Sequence, residues 1–196
     1  MLLTRDAPWR FLPVAGQSEV GKTHITQQML ANALRLPGLA CGRLDFKGTA
    51  QLEIALGSFI AELGVEAPAG SRLSERLSRV LAALRQKERP ALLIFDTYEL
   101  ASGEEQDWLE KQLLLTLVRA PWLRVVVAGQ KVPDRQSEPW AAVAAPVVQL
   151  QPPPPEDWLA FALLHKPGID LSFVRQAHCY CGGKASTLAG LLGPAS

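Results

Sequence analysis

The chain has 196 residues, a length that suits one α/β domain with a small appendage. Its 20 Lys and Arg residues nearly balance 19 Asp and Glu residues, and the formal net charge of +1 argues against a protein that coats a polyanion. Hydrophobic residues make up 48% of the chain, which is enough for a sizeable core and excludes wholesale disorder.

The cysteines and the hydropathy pattern indicate the cellular compartment in which the protein is found. Three cysteines are an odd and sparse set, which does not predict a disulfide framework and favours reducing conditions. The sequence contains no run of 18 or more apolar residues, and its first six residues lack the basic and apolar regions of a secretory leader. We therefore expect a cytoplasmic protein without a membrane partner.

Apolar runs alternate with helical patterns along most of the chain. Runs that are apolar at every position, such as residues 91–95, indicate strands buried on both faces. Ser102 and Glu105 form the pattern of a capping box at a helix start. Five predicted strands, most of which alternate with long helices, indicate βαβ units and a mostly parallel sheet. The predicted strands are 10–15, 39–46, 91–95, 123–128 and 147–150, and the predicted helices are 23–36, 49–63, 71–88 and 102–120.

A run of four prolines, residues 152–155, interrupts this alternation. Such a run forms a stiff, extended spacer. Three shorter helical patterns follow it, over residues 156–164, 171–181 and 185–192. We predict a phosphate-loop domain over residues 1–151 and a short helical lid or tail over residues 152–196.

A phosphate-binding motif lies between the first predicted strand and the first predicted helix. Residues 16–23 match the pattern G-x-x-x-x-G-K-[ST] in full. Its glycines let backbone N–H groups point at phosphate oxygens, and the next helix offers its N-terminus. Lys22 would bridge β- and γ-phosphates, and the Thr23 hydroxyl would hold Mg²⁺. The alternative is a glycine-bearing turn between strand and helix.

This motif predicts ATP or ADP as a ligand, together with Mg²⁺. The residues predicted to bind the nucleotide are those of the motif and the next one: Gly16, Gln17, Ser18, Glu19, Val20, Gly21, Lys22, Thr23 and His24.

Two carboxylates follow the third predicted strand. Asp96 ends that strand, and an acid at this place lies near the mouth of a phosphate loop. We predict that Asp96 belongs to the nucleotide site and holds Mg²⁺ through water or through Thr23. The alternative is an aspartate that ends a strand and caps a turn. Glu99 is a candidate catalytic base, with an ion-pair partner or a solvated loop residue as the alternatives.

Together these features resemble P-loop ATPases that carry an extra strand between the two Walker strands, the AAA-like class. Within that class the chain resembles the STAND group, the signal-transduction ATPases with numerous domains. The resemblance rests on the phosphate loop, on residues 44–46, on the turn 96–99 and on residues 124–130, and it continues over residues 148–158.

The resemblance implies a P-loop NTPase three-layer sandwich with sheet order 5-1-4-3-2. It implies a switch between a closed resting state and an open oligomeric state. It also implies an effector or sensor protein as partner, a homo-oligomer, and a role in signal transduction that is often bacterial defence.

The departures from the family pattern concern hydrolysis. Thr97 stands where many hydrolysing relatives have a glutamate. The γ-phosphate sensor position reads Gln130 instead of arginine, and glutamine adds no positive charge. The tail reads Gly182-Gly183-Lys184-Ala185 without the family's Gly-x-Pro. These departures are typical of a minimal or degenerate member.

Three functions remain open from the sequence. The first is a nucleotide-dependent switch or scaffold with weak or no hydrolysis, the second an active ATPase that drives oligomeric assembly, and the third a scaffold that has lost nucleotide use. His178, Cys179 and Cys181 are too few for a zinc site and are interpreted as packing residues. The basic helix predicted over 71–88 is interpreted as a solvated face, and nucleic acid is not expected as a partner.

Overall fold

The structure is a computed structural model that describes residues 8–47, 49–66, 72–87, 89–134 and 138–193, with the backbone alone for residues 49–53. Strands and helices alternate as the apolar patterns predict. The strands are β1 (Phe11–Gly16), β2 (Ala40–Asp45), β3 (Ala91–Asp96), β4 (Leu123–Gly129) and β5 (Val148–Leu150). The helices are α1 (Lys22–Ala33), α2 (Thr49–Glu62), α3 (Leu73–Gln86), α4 (Gly103–Trp108), α5 (Leu114–Leu117), α6 (Pro155–His165), α7 (Leu171–Tyr180) and α8 (Ala185–Leu192). No helix in the described ranges is long and apolar enough to cross a membrane.

The first helix ends earlier than predicted. Helix α1 ends at Ala33, not at Leu36, because Leu36 precedes Pro37 and a residue before proline disfavours the helical conformation. Leu36 is also 44% exposed, so packing does not hold it in the helix. The predicted ends of the third helix, Ser71 and Glu88, lie outside the described residues.

The described strands form one parallel sheet in the order β2-β3-β4-β1-β5. This confirms the order 5-1-4-3-2, with the phosphate-loop strand beside the inserted strand β4. Strands β3 and β4 are buried at every position, which explains the apolar runs 91–95 and 125–128 within them. Parallel strands place all their carboxyl ends at one edge, so residues 45 and 96 lie opposite each other in register.

The chain divides into two compact units. The first comprises the described residues up to Ala15 and Thr23–Val148, and the second comprises Gly16–Lys22 and the described chain from Gln149 onward. The predicted boundary between residues 151 and 152 stays a prediction.

Aromatic side chains organise the core of the first unit. The Phe95 ring lies 6.1 Å from Phe46, 6.0 Å from Phe59 and 6.2 Å from Trp108, centroid to centroid. Phe95 is fully buried. It therefore joins strand β3 to the helices α2 and α4, and aromatic pairs at such distances add to the energy of burial.

The helical segment from Gly103 to Leu117 is not a uniform α-helix. Its start has the predicted capping box, in which the Ser102 hydroxyl accepts a hydrogen bond from the Glu105 N–H and the Glu105 carboxylate accepts one from the Ser102 N–H. The middle, Leu109–Leu113, is π-helical, and the Leu114 N–H bonds to the Leu109 carbonyl five residues back. The helix predicted over 102–120 therefore has a π-helical middle and ends at Leu117, three residues before the predicted end.

The C-terminal helices of the second unit have a small core of their own. Its buried residues are Trp158, Ala162, Val174, Ala177, Cys181, Leu188 and Leu192. Asp170 caps α7 by accepting a hydrogen bond from the Phe173 N–H at 2.8 Å. This bond, with the Ser172 hydroxyl, lowers the pKa of the Asp170 carboxyl. An ion pair of 2.8 Å between Arg175 and Glu156 joins α7 to α6.

Replacement of Phe95 tests the core of the first unit. Phe95→Ala removes a fully buried ring and leaves a cavity, so we expect a loss of about 3–5 kcal/mol in the free energy of unfolding. Phe173→Ala, the same change at a side chain that is 49% exposed, should cost less than about 1 kcal/mol. Urea unfolding followed by circular dichroism measures both, and equal costs would contradict the assigned core.

Candidate functional site

The phosphate loop has the backbone that its motif requires. An added Cβ at Gly16 would lie 2.9 Å from both the Leu150 carbonyl oxygen and Cγ2 of Val20, so only glycine fits there. Gly21 has a φ of +99°, which glycine adopts at no steric cost. Glu19, at a φ of +64°, adopts a left-handed conformation that side-chain-bearing residues seldom take.

The lysine of the loop is folded inward. Lys22 is 8% exposed, and its ammonium donates to the carbonyl oxygens of Gly16 at 2.8 Å and Gln17 at 2.6 Å. A buried cation among neutral acceptors is poised for an anionic ligand, because phosphate oxygens stabilise it better than carbonyls do. The donor set of this loop, an ammonium and backbone N–H groups, fits a polyphosphate.

Within the second unit, the start of helix α8 contacts the loop through Glu19. The Ala185 N–H donates to the Glu19 carbonyl oxygen at 3.0 Å, and the Ser186 hydroxyl donates to its carboxylate at 3.3 Å. The Lys184 ammonium lies 3.8 Å from the same carboxylate. Glu19 therefore connects the loop to the tail at residues 184–186.

The first unit contains a charged network around Asp96. This carboxylate is 1% exposed, and its Oδ2 accepts a hydrogen bond from the Arg43 guanidinium at 2.6 Å. The Thr26 hydroxyl lies 2.9 Å from Oδ2 and 2.9 Å from the Thr23 carbonyl oxygen, and its single proton serves one of them. The Thr26 hydroxyl oxygen also accepts a hydrogen bond from Nε of Arg43 at 3.0 Å.

Asp45 completes the network from the neighbouring strand. Nη2 of Arg43 donates to Asp45 at 2.9 Å as well as to Asp96, so one guanidinium serves two carboxylates. Thr97, in the turn after β3, binds both carboxylates. Its hydroxyl donates to Asp45 at 2.7 Å and its N–H donates to Asp96 at 2.9 Å.

Thr97 is held in an unfavourable conformation. Its φ of +57° is left-handed, which for a β-branched residue costs about 1–3 kcal/mol. The two aspartates offset this cost through their bonds to its hydroxyl and its N–H. Strain of this kind marks a candidate functional turn.

Direct ligation of Mg²⁺ by Asp96 does not fit this arrangement. Oδ2 is occupied by Arg43, and Oδ1 accepts from the Thr97 N–H. At an effective dielectric constant of about 20, two unit charges 4 Å apart interact by about 4 kcal/mol, and a divalent ion beside the guanidinium doubles that repulsion. Ligation through Asp96 requires Arg43 to move, and the magnesium role assigned to Asp96 and Thr23 stays a prediction.

The other predicted residues lie in two places. Thr23 and His24 are exposed in the first turn of α1. Glu99 and Gln130 are in contact in the first unit, where the Gln130 N–H donates to Oε2 of Glu99 at 2.8 Å. A Cβ on Gly129 would lie 2.6 Å from that oxygen, so glycine leaves room for the contact. The roles of Glu99 as base and Gln130 as sensor stay predictions.

Sequence reasoning missed Arg43 and Thr26. The signal for Arg43 is its spacing from Asp45, since residues two apart on a strand share one face. Thr26 lies three residues after Thr23, which places both hydroxyls on neighbouring parts of the α1 surface.

The His178 and cysteine cluster has packing contacts. Nε2 of His178 lies 3.0 Å from the Pro153 carbonyl oxygen, Cys179 is exposed, and Cys181 is buried. Within the described ranges, no group of three or more His, Cys, Asp or Glu side chains is placed to hold a metal ion.

Comparison with known proteins supports the fold. No family model and no curated protein matches the sequence. A solved STAND protein with a tetratricopeptide repeat sensor from Pyrococcus horikoshii is 16% identical, with 100% of this chain aligned to 29% of that chain at a TM-score of 0.58.

Two replication proteins are also similar. Cdc6p from Pyrobaculum aerophilum is 12% identical over 93% of this chain and 54% of its own, with a TM-score of 0.62. The Orc1 protein of Aeropyrum pernix, solved in complex with DNA, is 14% identical over 92% of this chain and 52% of its own, with a TM-score of 0.61. At these identities the similarity shows the AAA-like P-loop fold alone. The chain spans less than a third of the STAND protein and about half of each of the other two.

The cysteines offer a test of burial in the first unit. Burial, and secondarily the Glu62 carboxylate, raises the pKa of the buried Cys41 thiol, and only thiolates react readily with iodoacetamide. At pH 8 we expect the exposed Cys179 to be alkylated first, while Cys41 reacts only after unfolding in urea. Peptide mass spectrometry measures both rates, and equal rates in the folded protein would contradict the assigned burial.

Glu99 is tested by two replacements. Glu99→Gln keeps an oxygen acceptor for the Gln130 N–H, so we expect little change in stability and in any slow phosphate release. Glu99→Ala removes the acceptor and should lower the free energy of unfolding by about 0.5–1.5 kcal/mol. A large drop in phosphate release by Glu99→Gln alone would identify Glu99 as a catalytic base instead.

Proposed function

We propose that this chain is an ATP- or ADP-binding module of the STAND type, a nucleotide-dependent switch or scaffold with weak or no hydrolysis. The observation that carries this proposal is the inward-folded ammonium of Lys22 in a loop whose Gly16 has no room for a side chain. A loop with this sequence and this backbone is suited to one class of ligand, a polyphosphate.

The connection through Glu19 supports a switch. A nucleotide that draws Lys22 away from the Gly16 and Gln17 carbonyls changes the loop, and Glu19 bonds the same loop to Lys184, Ala185 and Ser186. We propose that residues 152–196 are the lid that responds to the nucleotide. A larger effector or sensor protein, or further copies of this chain, would recognise the lid in its nucleotide-bound arrangement. Roles in signalling and bacterial defence belong to this proposal.

The alternative function is an active ATPase that drives oligomeric assembly. Thr97 in the place of a catalytic glutamate, and Gln130 in the place of the sensor arginine, favour the switch over this alternative. The comparisons give no support to the expectation that nucleic acid is not a partner, since the similar Orc1 structure contains DNA.

Loss of the loop lysine tests nucleotide binding. Lys22→Ala removes a charge-assisted contact of about 3 kcal/mol, so we expect the affinity for ATP and ADP to fall by about 100-fold or more in calorimetry. Lys111→Ala is the matched control, because Lys111 is 71% exposed and pairs with Asp107 on the same helical segment. Unchanged affinity in Lys22→Ala would overturn the assignment of the loop.

Phosphate release separates the two functions in the same preparation. Tight binding with turnover near zero supports the switch, and steady release supports the ATPase. If neither nucleotide binds the wild-type protein, both functions are excluded and a scaffold without nucleotide remains.

A further inference from the structure

A resident cation already neutralises the acid that the motif assigns to magnesium. The side chains of Arg43 and Asp96 are 15% and 1% exposed, and their N–O distance is 2.6 Å. The same guanidinium nitrogen lies 2.9 Å from Asp45, and Nε lies 3.0 Å from the Thr26 hydroxyl. The guanidinium therefore has fixed partners on β2, β3 and α1, all within the first unit.

The charge balance shows what this cation does. The two aspartates contribute two negative charges at adjacent strand ends, and Arg43 leaves a net charge of −1 there. A magnesium ion at Asp96 would have to displace a guanidinium that is covalently part of the same strand as Asp45. Mg²⁺ also gives up its water reluctantly, whereas the guanidinium already has a geometry that matches carboxylates.

We propose that Arg43 takes the place of the divalent cation at Asp96, so that this chain binds its nucleotide largely without Mg²⁺. The proposal rests on the nucleotide-binding function proposed above. It adds that magnesium is largely dispensable for nucleotide binding. This would distinguish the chain from P-loop proteins in which magnesium links the nucleotide to the acid.

The first experiment compares nucleotide affinity with and without magnesium. Calorimetric titrations with ADP and ATP are made in excess Mg²⁺ and in EDTA. For the wild-type protein we expect the two affinities to differ by less than about threefold, and for Arg43→Gln by about tenfold or more, since the freed carboxylate then attracts the ion. Arg43→Lys retains a cation and should behave like the wild type, as should Arg35→Gln, the same change at an exposed arginine.

Three results would overturn the proposal. A tenfold or larger magnesium dependence in the wild-type protein does so without any variant. Unchanged affinities under both conditions in a folded Arg43→Gln show that Arg43 has a structural role alone. Equal weakening with and without magnesium shows that Arg43 contacts the nucleotide instead.

The second experiment needs no nucleotide. Mn²⁺ is titrated into the protein, and its electron paramagnetic resonance signal reports the free ion. We expect no binding by the wild-type protein, and one bound ion in Arg43→Gln that disappears in the double variant Arg43→Gln, Asp96→Asn. Mn²⁺ binding by the wild-type protein that is lost on Asp96→Asn would overturn the proposal.

The two experiments distinguish the failure of this inference from the failure of the proposed function. If no protein binds nucleotide but Arg43→Gln binds Mn²⁺, the nucleotide function is wrong and the role of Arg43 as counter-cation holds. If nucleotide binds with an ordinary magnesium requirement, the function holds and the inference is wrong.

Discussion

The ion pair between Arg43 and Asp96 is the interaction on which the carboxyl edge of the sheet depends. The parallel register of β2 and β3 brings Asp45 opposite Asp96, and two like charges at that place repel unless a cation lies between them. Arg43 supplies it from the same strand as Asp45. The two carboxylates thus held also fix the strained turn at Thr97, and that turn leads to Glu99 and its bond to the Gln130 N–H.

The second unit has a corresponding arrangement around the phosphate loop. There an ammonium, that of Lys22, is enclosed by carbonyl oxygens, and Glu19 extends from the loop to the start of α8. The first unit therefore contains a carboxylate that is already paired with a cation, and the second contains an ammonium whose hydrogen-bond partners are neutral carbonyl oxygens. This asymmetry supports the proposed nucleotide-binding switch over the alternative of an active ATPase.

The features predicted correctly from the sequence are those that local chemistry decides. The apolar runs 91–95 and 125–128 predicted the central strands β3 and β4, and the glycine and lysine spacing predicted the loop. The pair of Arg43 and Asp96 could not be predicted, because 53 residues separate them and a slip of one residue in the pairing of β2 and β3 would turn Arg43 to the opposite face. The contact of Glu99 with Gln130 depends in the same way on the packing of a turn against the end of β4.

The π-helical turn at Leu109–Leu113 affects how this chain aligns with other sequences. A π turn holds one residue more than the α turn it replaces, and here it lets Trp108 and Leu109 face the core together with Leu113, Leu114 and Leu117. Any alignment of this helix with an uninterrupted one must therefore open a one-residue gap inside a helix, where alignments rarely allow gaps.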